Sequence, residues 1–357
     1  MMPPGNPLPR YKVHLKKDDS PTDNPDMKRA FITGIAGQDG SYLAELLLAE
    51  GYEVHGLVAS DRSSLSRIAH IHDSIKLHFG DVVNTMHMAD ILRHLHPDEI
   101  YNLAAKSFVP ASWADPIITA DTTAMGAASM LEALRSASPH SKFVQATSSE
   151  IFGDAPQSPQ NESTGFNPRT PYGASKLYAY FMTKNYRQRY GIHCVSAIMY
   201  NHESPRRPAE FVTRKITGAV AEIKLGLRKN LTLGNLDTRR DWGYAPDYAR
   251  ALTLMARHDK AQDFVLATGV TRTVQELAAF AFEAAGLDWK DHVVVDPKLC
   301  RPPESTILCG DPSSARALLR WQPTKTFQEV ITEMVAHDLA LAERRIAQSD
   351  APARAAA

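Results

Sequence analysis

The stretch RAFITGIAGQDGSYLAELLLAEG, residues 29–51, decides the fold. Residues 29–33 form a short apolar run closed by glycine, the pattern of a buried parallel strand. Residues 41–50 carry Leu43, Leu46 and Leu47 at helical spacing and stop at Gly51, a natural C-terminal cap. Between them lie Gly34, Gly37, Gln38, Asp39 and Gly40. Glycines there let the backbone approach a pyrophosphate, and a helix N-terminus offers free N–H groups and partial positive charge. The same glycines would also suit a loop with no ligand. The strand before and the helix after favour a dinucleotide site.

Working outward, further strands are expected at 53–58, 75–79, 99–103, 142–146, 193–199 and 263–267. Helices near 87–95, 120–136 and 173–190 separate them. Such alternation builds an α/β fold, a doubly wound parallel sheet of Rossmann type. Beyond Tyr200, helical stretches at 211–225, 273–285 and 326–345 follow no βα rhythm. They predict a smaller, mainly helical substrate lobe over the C-terminal edge of the sheet. The expected organisation is a mobile arm at 1–26, a dinucleotide-binding domain at 27–200 plus about 241–270, a lobe at about 201–240 plus 271–345, and a tail at 346–357.

The chain has 357 residues, 43% hydrophobic and 22% charged, with zero formal net charge. That balance offers nothing to nucleic acid or to a membrane surface. No apolar run approaches the roughly 20 residues of a membrane span. Three cysteines, Cys194, Cys300 and Cys309, are too few and scattered for a disulfide framework or a metal site, so a reducing cytoplasm is expected. The Pro-, Asp- and Lys-rich first residues lack the apolar core of a signal peptide.

Chemistry is concentrated at ATSSE, residues 146–150, and YGASK, residues 172–176. Tyr172 and Lys176 are one helical turn apart and share a face. A free tyrosine, with a pKa of about 10, is a poor base at neutral pH. A nearby ammonium stabilises the phenolate. With Ser148 at the end of the preceding strand, the three suit oxidation of a sugar alcohol beside a nicotinamide. Taken alone, a Tyr/Lys pair at this spacing also occurs on ordinary exposed helices. Glu150, two residues past the serine, adds a second acid/base group. Oxidation plus a second acid/base is what loss of water from a hexose requires, whereas a 4-epimerase or 4-ketoreductase needs only the tyrosine and lysine. A catalytically silent sugar-nucleotide binder is the reading from a different class.

NHESPRR, residues 201–207, follows a strand and precedes Thr213, Arg214 and Lys215. A solvated charge run is its plain reading. Two more cationic segments, Arg239-Arg240 and the one at Arg301, point instead to the grip on a diphosphate.

These segments resemble one family, the GDP-mannose 4,6-dehydratases of the extended short-chain dehydrogenase/reductases. The likeness rests on GIAGQDGSYLAE (34–45), NHESPRR (201–207), FVTRKI (211–216), LGNLD (233–237) with RDWG (240–243), and ATG (267–269), and it runs from about 28 to 340. It implies dehydration of a GDP-hexose through C4 oxidation, water loss across C5–C6 and hydride return to C6, with Ser148, Glu150, Tyr172 and Lys176 as the catalytic set. Gly34, Gly37, Gln38, Asp39, Gly40, Arg62, Asp81, Val82, Leu103, Ala104, Ala105, Ser107, His202 and Arg207 would join Tyr172 and Lys176 around NADP. Ser107, Ser149, Glu150, Asn201, Lys215, Arg240, Arg301 and Glu304 would hold the GDP-sugar. A homodimer or homotetramer is implied, and no metal.

The chain departs from the family pattern where paired arginines usually end the second strand and bind the 2′-phosphate of NADP. Here that place reads VASDR, residues 58–62. Asp61 near a ribose would favour NAD, while Arg62 would serve a phosphate. Pro208 and Pro303 replace a glycine and an alanine beside the substrate lobe, which leaves room for a modified hexose or a heptose.

Overall fold

The computed structural model describes residues 27–60, 63–299 and 306–355, with side chains as far as 348. The arm at 1–26, together with Asp61, Arg62, Cys300, Arg301, Pro303 and Glu304, lies outside the described residues.

The first half of the chain runs β1 (Arg29–Thr33), α1 (Gln38–Ala49), β2 (Glu53–Val58), β3 (Ile75–Phe79), α2 (Thr85–Leu95), β4 (Glu99–Asn102), α3 (Val109–Ala114), α4 (Pro116–Ala120), α5 (Gly126–Ala137), β5 (Lys142–Ala146), α6 (Pro171–Tyr190) and β6 (Cys194–Met199). The second runs β7 (Asn201–Glu203), α7 (Val212–Lys224), β8 (Leu231–Leu233), β9 (Arg239–Tyr244), α8 (Ala245–Arg257), β10 (Phe264–Leu266), β11 (Thr271–Thr273), α9 (Val274–Ala284), β12 (Val293–Val295), α10 (Ser313–Leu319) and α11 (Phe327–Ala355).

Seven parallel strands form the main sheet in the order β10-β6-β5-β4-β1-β2-β3. Residue Ala30 pairs with Val54 on one side and Glu99 on the other. The strand order reverses between β1 and β4, and the crevice at the C-terminal ends there is where open α/β sheets take ligands. Alternate strand residues feed opposite faces. Ala30, Ile32, Val54, Tyr101 and Val144 pack with residues of α1 and α8, and Phe31, Leu57, Ile100 and Phe143 with residues of α2 and α5.

Helix α1 begins at Gln38, three residues before the expected start, because Gly37 is the extended N-cap. Gln38, Asp39 and Gly40 therefore belong to the first helical turn. The expected helix at 120–136 is interrupted: a π-helical turn, Asp121–Met125, joins α4 to α5. Helix α11 continues to Ala355, where a tail from 346 was expected. The alanines at 351, 353 and 355 are strong helix formers.

A second core gathers Ile216 and Val220 of α7, Leu277 and Phe282 of α9, and Ile331 and Met334 of α11. Residues 313–321, expected in this lobe, pack elsewhere. Ala315, Leu319 and Trp321 join the main-sheet core beside Tyr248, and the Trp321 indole donates to the Asp247 carbonyl at 2.8 Å. A seven-residue helix is too short to show its apolar face as a period. Strands β11, β9 and β7 form a small sheet beside the crevice.

Candidate active site

The floor of the crevice is backbone. Gly34 has φ +72° and a Cβ there would stand 3.0 Å from Ala104 N, so the turn after β1 lies directly on the chain leaving β4. The Leu103 and Ala104 N–H groups both donate to Thr33 Oγ1 at 3.1 Å. Gly37 is exposed at the mouth of α1, and a Cβ on Gly40 would meet the Gly34 carbonyl. Removing side chains at these points leaves a concave polar surface ending in free helix N–H groups, which fits a pyrophosphate. Ala105 is half-buried and Ser107 exposed along the same edge, and Val82 is buried beside exposed Asp81.

Ser148, Tyr172 and Lys176 meet at the C-terminal end of β5. Ser148 caps a short 3-10 turn, Ser149–Ile151, and accepts from the Glu150 N–H at 3.3 Å. Helix α6 starts with Thr170 as N-cap, whose side chain accepts from Gly173 N at 2.9 Å, and Pro171 suits the first helical position. Tyr172 then reaches Ser148 with a side-chain hydrogen bond. Lys176 Nζ sits 5.7 Å from the centre of the Tyr172 ring and donates to the Ala146 carbonyl at 2.7 Å. Glu150 is half-buried at the rim and Ser149 is buried behind it.

The electrostatics differ from expectation in one respect. Burial raises the Tyr172 hydroxyl above the ordinary tyrosine value, with Glu150 and Asp39 adding to the rise while Ser148 and Arg207 oppose it. Burial likewise lowers the Lys176 ammonium to about 8. Desolvation of both groups outweighs the favourable pairing anticipated from their spacing.

The segment 201–207 does not hang in solvent. His202 Nε2 lies 3.0 Å from Asp39 Oδ1. Gln38 donates to the His202 carbonyl at 3.1 Å and accepts from Ser204 Oγ at 2.8 Å. Arg206 reaches back to α1, pairing with Glu45 at 2.6 Å and lying 4.0 Å from the Tyr42 ring centre. Arg207 pairs with buried Glu203 at 3.2 Å and covers the Phe211 ring at 3.8 Å. Arg214 is paired with Asp338 at 2.6 Å. Thus Arg206 ties the segment to the first helix, Arg207 pairs within its own segment, and Arg214 joins α7 to α11.

Lys215 is exposed and donates to the Thr232 carbonyl at 3.1 Å. Arg240 is half-buried on β9, and Asn201 is half-buried and pairs in register with Trp242. Asp241, absent from the expected set, is fully buried and accepts from the Thr268 and Gly269 N–H groups at 2.9 Å. Its neighbours in RRDWG gave no sign that this carboxylate clamps the loop after β10. Among the described residues, no cluster of His, Cys, Asp or Glu could hold a metal, and no helix is long and apolar enough to cross a membrane. A cavity of about 450 Å³ lined by Lys28, Glu50, Gly51, Tyr52 and Arg257 opens at the opposite, N-terminal end of the strands.

A Rossmann sheet, a glycine-built floor and a Ser–Tyr–Lys set define the extended short-chain dehydrogenase/reductase class. Solved structures share this fold. UDP-glucose 4-epimerase of Thermus thermophilus, solved with NAD, superposes with a TM-score of 0.76 at 26% identity, covering 87% of this chain and 98% of that one. A dTDP-glucose 4,6-dehydratase of Bacillus anthracis, also solved with NAD, gives 0.76 at 21% identity, covering 87% and 96%. The family model described as GDP-mannose 4,6 dehydratase matches residues 31–334, and the chain belongs to that family. It is 46% identical to GDP-mannose 4,6 dehydratase 1 of Arabidopsis thaliana, over 91% of this chain and 93% of that protein. It is 44% identical to the GDP-mannose 4,6 dehydratase of Homo sapiens, over 87% and 91%.

Proposed function

We propose that this chain converts GDP-mannose into the GDP-4-keto-6-deoxy sugar with loss of one water, a lyase reaction that needs a nicotinamide cofactor. The observation that carries the reading is Glu150, placed on the turn capped by Ser148 while Ser148 is bonded to Tyr172. The bound nicotinamide would take hydride from C4 and return it at C6. Tyr172 receives the C4 hydroxyl proton, with Ser148 holding that oxygen in line. The C4 carbonyl acidifies C5, and Glu150 removes the C5 proton. Glu150 then gives that proton to the C6 hydroxyl, which departs as water; as hydride returns to C6, C5 takes up the proton that Tyr172 received, so protons and electrons balance over the cycle. Lys176 braces Tyr172 from below through its bond to the Ala146 carbonyl.

In this reading the backbone from Gly34 to Gly40 and the edge at Leu103–Ala105 carry the dinucleotide. Ser107, Ser149, Asn201, Lys215 and Arg240 face the GDP-sugar, and His202 and Arg207 touch the dinucleotide. The cofactor is NADP in preference to NAD, supported by the close agreement of the dinucleotide loop with the family pattern. The working unit is a homodimer or homotetramer. Supporting this, Trp113, Ile117 and Ile118 on α3 and α4 are 65%, 73% and 48% exposed, beside Phe181 of α6 at 42%. The product formed from GDP-mannose, measured by mass spectrometry, tests the reaction. Loss of water is expected, and a product of unchanged mass would assign the site to epimerisation.

A further inference from the structure

The contact between Asp39 and His202 takes no part in the proton transfers above, yet its chemistry is unusual. His202 is 7% exposed, and its ring stacks on Tyr248 with centres 4.5 Å apart. Nδ1 stands 2.7 Å from the Tyr200 carbonyl oxygen, and Nε2 stands 3.0 Å from a carboxylate oxygen of Asp39. Both neighbours only accept hydrogen bonds. A neutral imidazole carries one N–H and one lone pair, so either tautomer would set a lone pair against an acceptor in a buried place. Only the doubly protonated ring both donates from Nδ1 to the Tyr200 carbonyl and sets positive charge, not a lone pair, beside the carboxylate, which Nε2 approaches off the line of a hydrogen bond.

The surroundings agree. Asp39 faces the ring from α1, Arg207 from the following loop, Glu203 from its own strand, the Tyr200 carbonyl from the end of β6 and the Tyr248 ring from α8. Burial and Arg207 disfavour the charge; Asp39 outweighs them, and the ring's pKa is raised. Burial alone would lift the Asp39 carboxyl, but His202 first and Arg207 last hold it at about 2. Gln38 ties the same two residues together, donating to Asp39 at 3.0 Å and to the His202 carbonyl at 3.1 Å.

We infer that His202 is a buried imidazolium, and that its bridge to Asp39 is the positioning element seating segment 201–207 on the first turn of α1. The dinucleotide floor and the substrate lobe are thereby one assembly. Asp39 and His202 are positioning residues in this role. The protonation state is independent of the reaction, whereas the consequence for the lobe rests on the GDP-sugar reading.

The test uses protein labelled with nitrogen-15 in histidine. At about pH 7, where most exposed imidazoles have lost their second proton, one ring should still show two protonated nitrogens, and that signal should vanish in His202→Gln. Absence of any such ring in the wild-type protein overturns the proposal. Asp39→Asn should turn the same ring neutral at about pH 7 and weaken GDP binding roughly tenfold, a coupling of ordinary size for contacting groups. The double variant Asp39→Asn/His202→Gln, with two neutral amides, should regain most of that affinity. GDP affinity unchanged in Asp39→Asn overturns the positioning role. Wild-type protein that binds no GDP would instead sink the GDP-sugar reading and, with it, the lobe consequence, while the nitrogen signal still decides the imidazolium.

Discussion

The carbonyl oxygen of Glu150 lies against the α-carbon of Gly173 so closely that a Cβ added there would stand 2.6 Å from it. Two groups proposed as catalytic, on different elements, are brought together by that contact: Glu150 on the turn after β5, Tyr172 at the start of α6. Pro168 Cβ and Thr170 Oγ1, each 3.2 Å from the same point, leave no room on the other sides. Gly173→Ala should therefore push the Glu150 turn away from Tyr172. A misplacement of about 1 Å can cost on the order of a hundredfold in rate. We expect kcat to fall by about that factor, KM for GDP-mannose to stay near its wild-type value, and stability to drop by about 1–3 kcal/mol from overpacking. Steady-state kinetics with a denaturant melt measure both, and a wild-type kcat would show that the turn is not set by this glycine.

Glu150→Gln separates the two halves of the reaction. The amide keeps the shape of the carboxylate but cannot take the C5 proton, while Tyr172, Ser148 and Lys176 are untouched. Oxidation at C4 should proceed and then stop. Stopped-flow absorbance should show reduced nicotinamide accumulating with a 4-keto sugar of undiminished mass. Normal 6-deoxy product from this variant would remove Glu150 from its role.

The parallel sheet is legible in the sequence because strands buried on both faces are near-continuous apolar runs: CVSAIM in β6 is buried at every position. The closeness of Tyr172 and Lys176, the pair proposed as catalytic, is legible because they need only one helical turn to meet. What sequence cannot supply is the partner distant along the chain. Arg206 and Arg214 look like ligand cations until Glu45 and Asp338 are seen beside them. The direction of the Tyr172 shift is hidden for a related reason, since burial depends on everything packed around the hydroxyl. Gln38 to Gly40 read as loop because glycine usually breaks helices, whereas here Gly40 lets α1 start directly against the turn.

Lys176 carries a stability cost that can be removed. Its ammonium is held at about 8 by burial, against the 10.5 of an ordinary lysine. Below about pH 8 the native and unfolded chains are both protonated at this site, so the penalty for burying the charge is fully present. Between about 8 and 10.5 the unfolded chain binds more protons than the native one, and stability contributed by this group rises with pH. A displacement of that size corresponds to on the order of 3 kcal/mol. Lys176→Met should abolish turnover yet melt higher than the wild type at pH 7, because Gln145 still donates to the Ala146 carbonyl at 2.9 Å. The advantage should shrink as pH is raised above about 8. Thermal melts of dinucleotide-free protein check this, and a lower melting point at pH 7 would mean that the ammonium is worth more to the fold than its burial costs.

The last prediction concerns the 2′-position of the cofactor. Strand β2 delivers Val58, Ala59 and Ser60 to the place where the family pattern has two arginines, and neither alanine nor serine can pair with a phosphate as a guanidinium does. Ser60 N instead donates to Ser63 Oγ at 3.2 Å, tightening the turn on itself. Discrimination should therefore be shallow: NADP preferred, but with NAD supporting turnover at a rate within about tenfold, a difference of about 1.4 kcal/mol in place of the 1.5–3 kcal/mol typical of each charged hydrogen bond. Changing Ala59 and Ser60 together to arginine should steepen the preference for NADP by tenfold or more. Denaturing the purified protein and identifying the released dinucleotide, then measuring dissociation constants for both forms, checks the whole argument. Exclusive release of NAD would reverse the preference and place an acceptor at the ribose hydroxyls.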